Sequence, residues 1–232
     1  GETAQVPEMV RGEEGAVGFD LVGTCIGTVD TNDILTGSGV CPGDVVLGIP
    51  SSGIHCNGLT LARKAFGLTE DIGANEKRGL LSRYFVELGE TLGEELIRPT
   101  RIYVREVISL LRSDLDVKGL AHISGDGFLN LPRLEADVGY VLDHLPEPQP
   151  VFQLIQEKGA VPDEEMYEVF NMGVGFCVVV PPNEEDPALE ILQQHEVEAQ
   201  RIGYVVYDPS RSVTLSGPSL QGWRGKGFEQ IS

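Results

Sequence analysis

The sequence is poor in the groups that would tie a protein to nucleic acid, to a membrane or to a structural metal. Lys and Arg number 17 against 36 Asp and Glu, a formal charge of −19. A surface of that sign repels phosphate backbones and anionic bilayers, so neither nucleic acid nor a membrane is an expected partner. No apolar run reaches the roughly 18 residues that a bilayer-spanning helix needs. The cysteines (Cys25, Cys41, Cys56, Cys177) form no Cys-x-x-Cys pair, and the histidines (His55, His122, His144, His195) no His-x-x-x-His pair. A zinc site or a disulfide framework is therefore not expected, and reduced thiols in a cytoplasmic setting are the default. Cys25 and Cys177 lie inside apolar runs and are expected as small buried hydrophobes. No signal peptide is expected. The chain opens at Gly1, without Met, inside what reads as a motif, and is expected to be a fragment. Also missing are the phosphate-binding G-x-x-x-x-G-K-[ST], the dinucleotide-binding G-x-G-x-x-G and the G-x-S-x-G elbow.

What is present is a patterned globular chain. Of its 232 residues 41% are apolar and 23% charged, enough to bury a core as one large domain or two small ones. Gly18–Val29 is β-branched and reads as a long strand, and Val45–Ile49 as a second. A helix is expected over Leu59–Phe66, capped by Asn57, then a surface insertion at 67–79 and a helical stretch over Leu80–Ile97, open to interruption near Gly89 and Gly93. A helix over Arg101–Arg112 would bury Val104, Val107, Ile108 and Leu111. Further strands are expected at Val117–Ile123, Val138–Leu142, Gly173–Val180, Ala199–Tyr207 and Val213–Leu215. Further helices are expected before Leu134 and at Val151–Lys158, Glu164–Phe170 (capped by Asp163) and Ala188–His195. From Gly217 onward the Gly-rich tail should fray. The interleaved order predicts an α/β or α+β fold, a mixed β-sheet covered by helices.

Three loops set small and polar residues where backbone can approach a ligand. The first is Ser51-Ser52-Gly53-Ile54-His55-Cys56-Asn57-Gly58, where two hydroxyls, an imidazole and an amide converge before a helix. The second is His122-Ile123-Ser124-Gly125-Asp126-Gly127, followed by Asn130 and Arg133. Arg133 could reach a phosphate, whereas Asp126 would repel one unless it held a metal or pointed away. The third is Phe170-Asn171-Met172-Gly173-Val174-Gly175. Each loop also has a plain structural reading, as a capped turn or a helix end. The residues alone support an α/β domain with one or two anion-binding loops.

Taken together the motifs resemble one family, aminoimidazole ribonucleotide synthetase, also called phosphoribosylformylglycinamidine cyclo-ligase. Gly1-Glu2-Thr3-Ala4, Pro7 and Asp20-Leu21-Val22-Gly23 resemble its Gly-Gly-Glu-Thr-Ala segment and the strand after it. Ser51–Gly58 is similar to its Ser-Ser-Gly-x-His-Ser-Asn-Gly loop, with Cys56 in place of a serine. Arg98–Val104 resembles its Thr-Pro-Thr-Arg-Ile-Tyr segment. Gly119-Leu120-Ala121-His122-Ile123 leads into its Gly-rich loop. Glu165-Met166-Tyr167 with Phe170–Gly175 resembles its Glu-Met-x-x-x-Phe-Asn-Met-Gly-x-Gly run. The resemblance spans about residues 1–207.

It implies a two-domain homodimer in which an N-terminal half holds ATP and a C-terminal α/β half closes over it. On that footing residues 1–30 are the end of the ATP-binding half, 31–216 the C-terminal domain and 217–232 a tail. The implied reaction is ATP-dependent closure of formylglycinamidine ribonucleotide to aminoimidazole ribonucleotide in purine biosynthesis, with Mg²⁺. The implied catalytic residues are His55, Asn57 and His122. Ser51, Ser52, Gly53, Gly125, Asp126, Gly127, Asn130, Arg133 and Asn171 would bind substrate or phosphate. Glu2 and Thr3 would belong to the ATP side, with Glu2 a metal ligand, because a carboxylate suits a hard cation. The alternatives are a sister enzyme (selenophosphate synthetase, thiamine-monophosphate kinase or a hydrogenase-maturation type) or a non-catalytic ligand-binding domain. One departure bears on the chemistry: the family's Thr-Gly-Gly-Gly is here Ser124-Gly125-Asp126-Gly127. A carboxylate beside a developing phosphate costs on the order of 1 kcal/mol if desolvated. Asp126→Gly should therefore raise the turnover of a full-length protein, and an unchanged or lower rate would discard that reading.

Overall fold

The computed structural model describes residues 23–231. The chain divides into two compact units, Gly1–Ile34 and Leu35–Ser232. Of the first, the described part is irregular backbone ending in a 3₁₀ turn, Thr31–Asp33, where the Asp30 carboxylate accepts from the Asn32 amide. The strand expected over Gly18–Val29 is absent from its described portion, Gly23–Val29. Among the described residues this segment pairs with no strand, so its run has no ladder to join, and Ile26 and Val29 are exposed. Cys25 is exposed too, contrary to expectation, whereas Cys177 is fully buried.

The second unit is a mixed sheet covered by helices, as expected. Its elements in chain order are β1 (Val45–Pro50), α1 (Leu59–Ala65), α2 (Ala74–Leu81), β2 (Tyr84–Phe85), β3 (Glu90–Thr91), α3 (Leu92–Leu96) and α4 (Val104–Arg112). Then follow β4 (Gly119–His122), a 3₁₀ turn over Gly127–Arg133, β5 (Gly139–Leu142), α5 (Pro150–Gly159), α6 (Asp163–Val169) and β6 (Val174–Val180). After a 3₁₀ turn at Pro182–Glu184 come α7 (Glu185–Gln194), β7 (Gln200–Val206), β8 (Val213–Leu215), β9 (Leu220–Trp223) and β10 (Gly227–Gln230). Eight strands form one sheet in the order β10-β9-β8-β5-β7-β1-β6-β4, and β2 with β3 makes a separate hairpin. Among the described residues only the β5–β8 pair is parallel.

The central strands are near-continuous apolar runs because both faces are covered. In β6, Val174, Cys177 and Val179 face one core with Phe128, Leu131 and Tyr140. Val178 and Val180 face the other, with Leu110 of α4 and Leu192 of α7. A third cluster joins α1, α5 and α6 through Ala62, Phe152, Ile155, Met166 and Phe170.

Several local expectations yield to chemistry the pattern did not weigh. The helical stretch expected over Leu80–Ile97, open to a break near Gly89 and Gly93, is the end of α2, the β2–β3 hairpin and α3, with the break at Gly89. Gly89, at φ +73, makes the turn, and Thr91 with Glu94 forms a capping box that starts α3 afresh. Inside the 67–79 insertion, α2 begins at Ala74. On α4 the buried residues are Glu106 and Leu110, while Val104, Ile108 and Leu111 face solvent. Two stripes share Val107, and the chain buries the one whose Glu106 is paired with Arg101, at 3.5 Å. Asn57 does not cap α1, since Gly58, at φ 78, holds that position with no side-chain bond. Asp163 does not cap α6 either: it is the first helical residue, and its carboxylate accepts from the Gln156 amide. The segment before Leu134 is 3₁₀ and not α, consistent with Pro132 inside it, which has no N–H to donate.

The tail does not fray. Antiparallel β9 and β10 extend the sheet, and Leu220 and Phe228 are buried in the main core. Leu220→Ala should accordingly destabilise the fold by ~2–5 kcal/mol, read as the shift in urea midpoint. A frayed tail would leave the midpoint where it was.

Candidate active site

Strand order assembles the site. Because β1 and β4 both run antiparallel to β6, the exits of β1 and β4 meet the entry of β6 at one end of the sheet, with Pro50 opposite Val174 and His122 opposite Phe176. The three polar loops follow or precede those ends and are therefore neighbours in space.

Hydrogen bonds then lock the loops. Ser51 donates its backbone N–H to the Gly173 carbonyl at 2.9 Å, and Ile123 to the Gly175 carbonyl at 2.9 Å. Asn171 is 3% exposed and uses both ends of its amide. Its Nδ2 donates to the Gly53 carbonyl at 2.8 Å, and its Oδ1 accepts from the Gly173 N–H at 2.9 Å. Asn130, equally buried, donates to the carbonyls of Gly125 and Gly127 at 2.8 Å each. Arg133 is exposed and donates to Asn130 Oδ1 at 3.3 Å. Asn171 and Asn130 thus shape the loops that present the other residues. Ser52 Oγ donates to the Pro99 carbonyl at 2.7 Å, and Cys56 Sγ lies 3.1 Å from Thr100 Oγ1, which ties on the segment before α4.

At the junction stands a group of rings. The imidazoles of His55 and His122 lie nearly parallel, 7° apart, with centroids separated by 6.4 Å. Tyr103 is 6.2 Å from His55 and 6.1 Å from His122, and Phe176 backs Tyr103 at 5.3 Å. Tyr103 Oη donates to the Pro50 carbonyl at 3.1 Å. Gly175 lets these groups close up: a Cβ there would lie 1.9 Å from Tyr103 Oη and 2.7 Å from His55 Cε1. Asn57 meets the second loop, its Oδ1 3.5 Å from where a Cβ on Gly125 would stand. Ser51, Ser52 and Gly53 line a cleft of about 200 Å³ with Glu95, Arg98 and Gln149. That is below the ~300–1,000 Å³ of clefts that enclose a whole drug-sized ligand, so it suits only a part of one.

Burial sets the charge state. His55, 6% exposed, has its pKa lowered from 6.5 to about 4, first by desolvation and then by the neighbouring His122 and Arg101. Desolvation also lowers His122 and raises the phenol of Tyr103. Both histidines are thereby biased toward neutral imidazoles. Asp126 sits in the left-handed region at φ 72 with its side chain exposed, a conformation Asp tolerates better than most residues. Gly127 cannot change, because a Cβ would lie 1.9 Å from the Tyr167 carbonyl.

The sheet therefore brings together His55, Asn57, His122, Ser51, Ser52, Gly53, Gly125, Gly127, Asn130 and Asn171. Glu2 and Thr3 lie outside the described residues. Among the described residues no group of three or more His, Cys, Asp or Glu could hold a metal ion. No helix among them is long and apolar enough to cross a membrane. Three residues escaped the sequence reading of the site. Tyr103 and Arg101 stand in a quoted motif, and Tyr103 just ahead of α4 was open to notice. Gln149, which donates to the Ser51 carbonyl at 3.1 Å, carries no local signal.

A mixed sheet covered by helices, with three interlocked loops at one end and a buried imidazole beside a second one, defines an α+β domain. Residues 41–216 match the family described as AIR synthase related protein, C-terminal domain, and the chain belongs to that family. It is 46% identical over 207 residues to the phosphoribosylformylglycinamidine cyclo-ligase of Methanocaldococcus jannaschii, covering 89% of this chain and 55% of that protein. It is 50% identical over 209 residues to the protein of the same name from Methanopyrus kandleri, covering 88% of this chain and 56% of that one. The chain spans about half the length of these curated relatives. The fold is shared with the solved thiamine-monophosphate kinase of Stenotrophomonas maltophilia, at TM-score 0.53 and 16% identity, covering 82% of this chain and 55% of that one. It is shared with E. coli HypE at TM-score 0.52 and 18% identity, covering 89% and 54%.

A depressed histidine pKa carries a definite sign for stability. Unfolded, His55 takes up its proton near pH 6.5; folded, it resists until about 4. The contribution is fully present above pH 6.5 and is lost as pH falls through that window, at up to about 1.4 kcal/mol per pH unit. Urea titrations at pH 7, 5.5 and 4.5 should show His55→Asn losing less stability than the parent between pH 6.5 and 4. Equal losses would mean that His55 titrates normally.

Proposed function

We propose that this chain is the C-terminal, substrate-side part of an ATP-dependent cyclo-ligase that closes formylglycinamidine ribonucleotide to aminoimidazole ribonucleotide, with ADP and phosphate released. One observation carries the reading. The loops that hold His55, Asn57 and His122 meet at one sheet end, in a chain 46% identical to a protein named for that reaction. The ligand is then a small ribonucleotide, in a cytoplasmic purine-biosynthetic setting.

The described residues do not by themselves fit ATP with Mg²⁺, since they offer no metal-holding cluster. Glu2 and Thr3 and the part of the relatives outside this chain are assigned to the ATP side. Residues 1–30 are read as the end of that half and residues from 31 onward as the substrate half, in a homodimeric whole.

Within this chain the work is positioning. Ring closure needs the formyl carbon and the attacking nitrogen of one molecule held at reaction distance, and a site that excludes water. Buried loops cross-linked by Asn171 and Asn130 give a wall that does not reorganise. His55, His122 and Asn57 are the polar groups on that wall, while Ser51 and Ser52 line the adjoining cleft. Gly53 and Gly125 let a ligand approach backbone, Gly127 instead admits the Tyr167 carbonyl behind the loop, and Arg133 and Asp126 lie exposed at the rim.

The test is ADP release by the full native protein with and without formylglycinamidine ribonucleotide. Turnover should depend on that substrate, and His122→Ala should lower kcat/KM on the order of 10²-fold. ATP hydrolysis indifferent to the ribonucleotide would refute the assignment and favour a sister chemistry.

A further inference from the structure

Two buried side-chain atoms at the loop cluster have no hydrogen-bond partner, Gln149 Oε1 and His55 Nδ1, and only the second belongs to a titratable group. His55 is 6% exposed, and its Nε2 accepts the Ser52 backbone N–H at 3.0 Å. An imidazole nitrogen that accepts carries no proton, so in the neutral ring the proton is on Nδ1. That Nδ1 is buried and has no hydrogen-bond partner. A buried donor without an acceptor costs about 1–3 kcal/mol, and such groups in folded proteins call for an explanation. The backbone adds a second cost. His55 sits at φ 57, the left-handed region, held there by the loop bonds of its neighbours.

We propose that His55 is a neutral hydrogen-bond donor, giving its Nδ1–H to an acceptor oxygen of the bound ribonucleotide, and that it acts neither as a general base nor as a cation. The base role is closed because the one ring nitrogen with a free lone pair already serves the Ser52 amide. The cationic role would break that same bond, and it would set a second positive charge beside Arg101, which already weighs on His55. Around the ring stand His122 of β4, Tyr103 and Arg101 ahead of α4, and the Gly175 backbone of β6. None of these is an acceptor bonded to Nδ1. Ser52 acts here as a positioning residue, since its N–H fixes the tautomer. The proposal rests on reading the loop cluster as the substrate site.

Two amide variants separate the ring nitrogens. Asn places an N–H near the Nδ1 position and suits a left-handed backbone; Gln places its amide near Nε2, where it can still accept from Ser52. In the full native protein, His55→Asn should keep kcat/KM within about 10-fold of the parent, while His55→Gln should lose about 10²-fold, the usual scale for removing one aimed donor. A fall in kcat would mark an oxygen that gains charge during reaction, and a rise in KM alone an oxygen already bound in the ground state; either supports the donor. The reverse order, equal loss or no loss would overturn it.

An independent reading uses the full protein with ¹⁵N-labelled histidine. His55 should show the Nδ1–H tautomer from pH 8 to 5, and its proton should shift downfield when formylglycinamidine ribonucleotide is added. An Nε2–H tautomer, an imidazolium forming above pH 6, or no shift at saturation overturns the proposal. Absence of ribonucleotide-dependent turnover in the parent would instead strike the substrate assignment, with the tautomer still measurable.

Discussion

Everything at the candidate site depends on β6 being flanked on both edges by antiparallel neighbours. Its pairing with β1 and β4 runs from Val45 opposite Val180 to His122 opposite Phe176. Four consecutive residues of the strand, Cys177–Val180, are fully buried, so its register is fixed by two cores at once. A slip of one residue would carry Val178 and Cys177 to the wrong faces. It would also carry the three loops out of reach of one another. The bonds from Ser51 to Gly173 and from Ile123 to Gly175 continue the same ladders past the strand ends. The site is thus the sheet's own hydrogen bonding carried a few residues into polar sequence.

That continuity explains a division of labour among the polar residues. Asn171 and Asn130 are buried, and their side-chain bonds satisfy carbonyls and N–H groups of glycine-containing loops or brace Arg133. Where glycine frees the backbone, an amide side chain restrains it again. The imidazoles are the opposite case. His55 gives one nitrogen to the scaffold and keeps the other, and burial holds it uncharged in a chain whose formal charge is −19. A protein so acidic gains little by meeting an anionic ligand with diffuse charge. Directional donors at short range, with Arg101 close by, are what the loop cluster would offer such a ligand under the proposed function.

How much of this was legible in the sequence varied with the kind of signal. The loop residues could be found because the loops carry dense small-polar motifs directly beside strong apolar runs. The mixed sheet was legible from the β-branched runs at 45–49, 174–180 and 200–206. In the stretch 80–97 the break near Gly89 was legible, but helical composition hid the β2–β3 hairpin and the Thr91–Glu94 box that starts a new element. The face of α4 was misread because a buried ion pair reversed the usual reading of Glu106 as a solvent residue. The tail looked disordered by composition, yet Leu220 and Phe228 are two well-spaced apolar anchors, and two turns suffice to fold them back on the core. Gln149 left no trace, since its role depends on where Ser51 arrives in space.

Asp126 shows why composition and geometry must be weighed together. As a letter it replaces a glycine in a loop that should welcome negative ligands, which counts against binding. As a conformer it stands at φ 72, where Asp costs less than most residues, and its carboxylate is exposed while the Gly127 backbone beside it is pressed against Tyr167. The intolerant position is therefore the next one along, and the loop keeps its path. Exposure also screens the charge, so its effect on a ligand a few ångströms away falls toward the value in water. The same loop can thus carry an added carboxylate and still present Gly125 to Asn57, because the backbone that does the presenting is held from behind by Asn130.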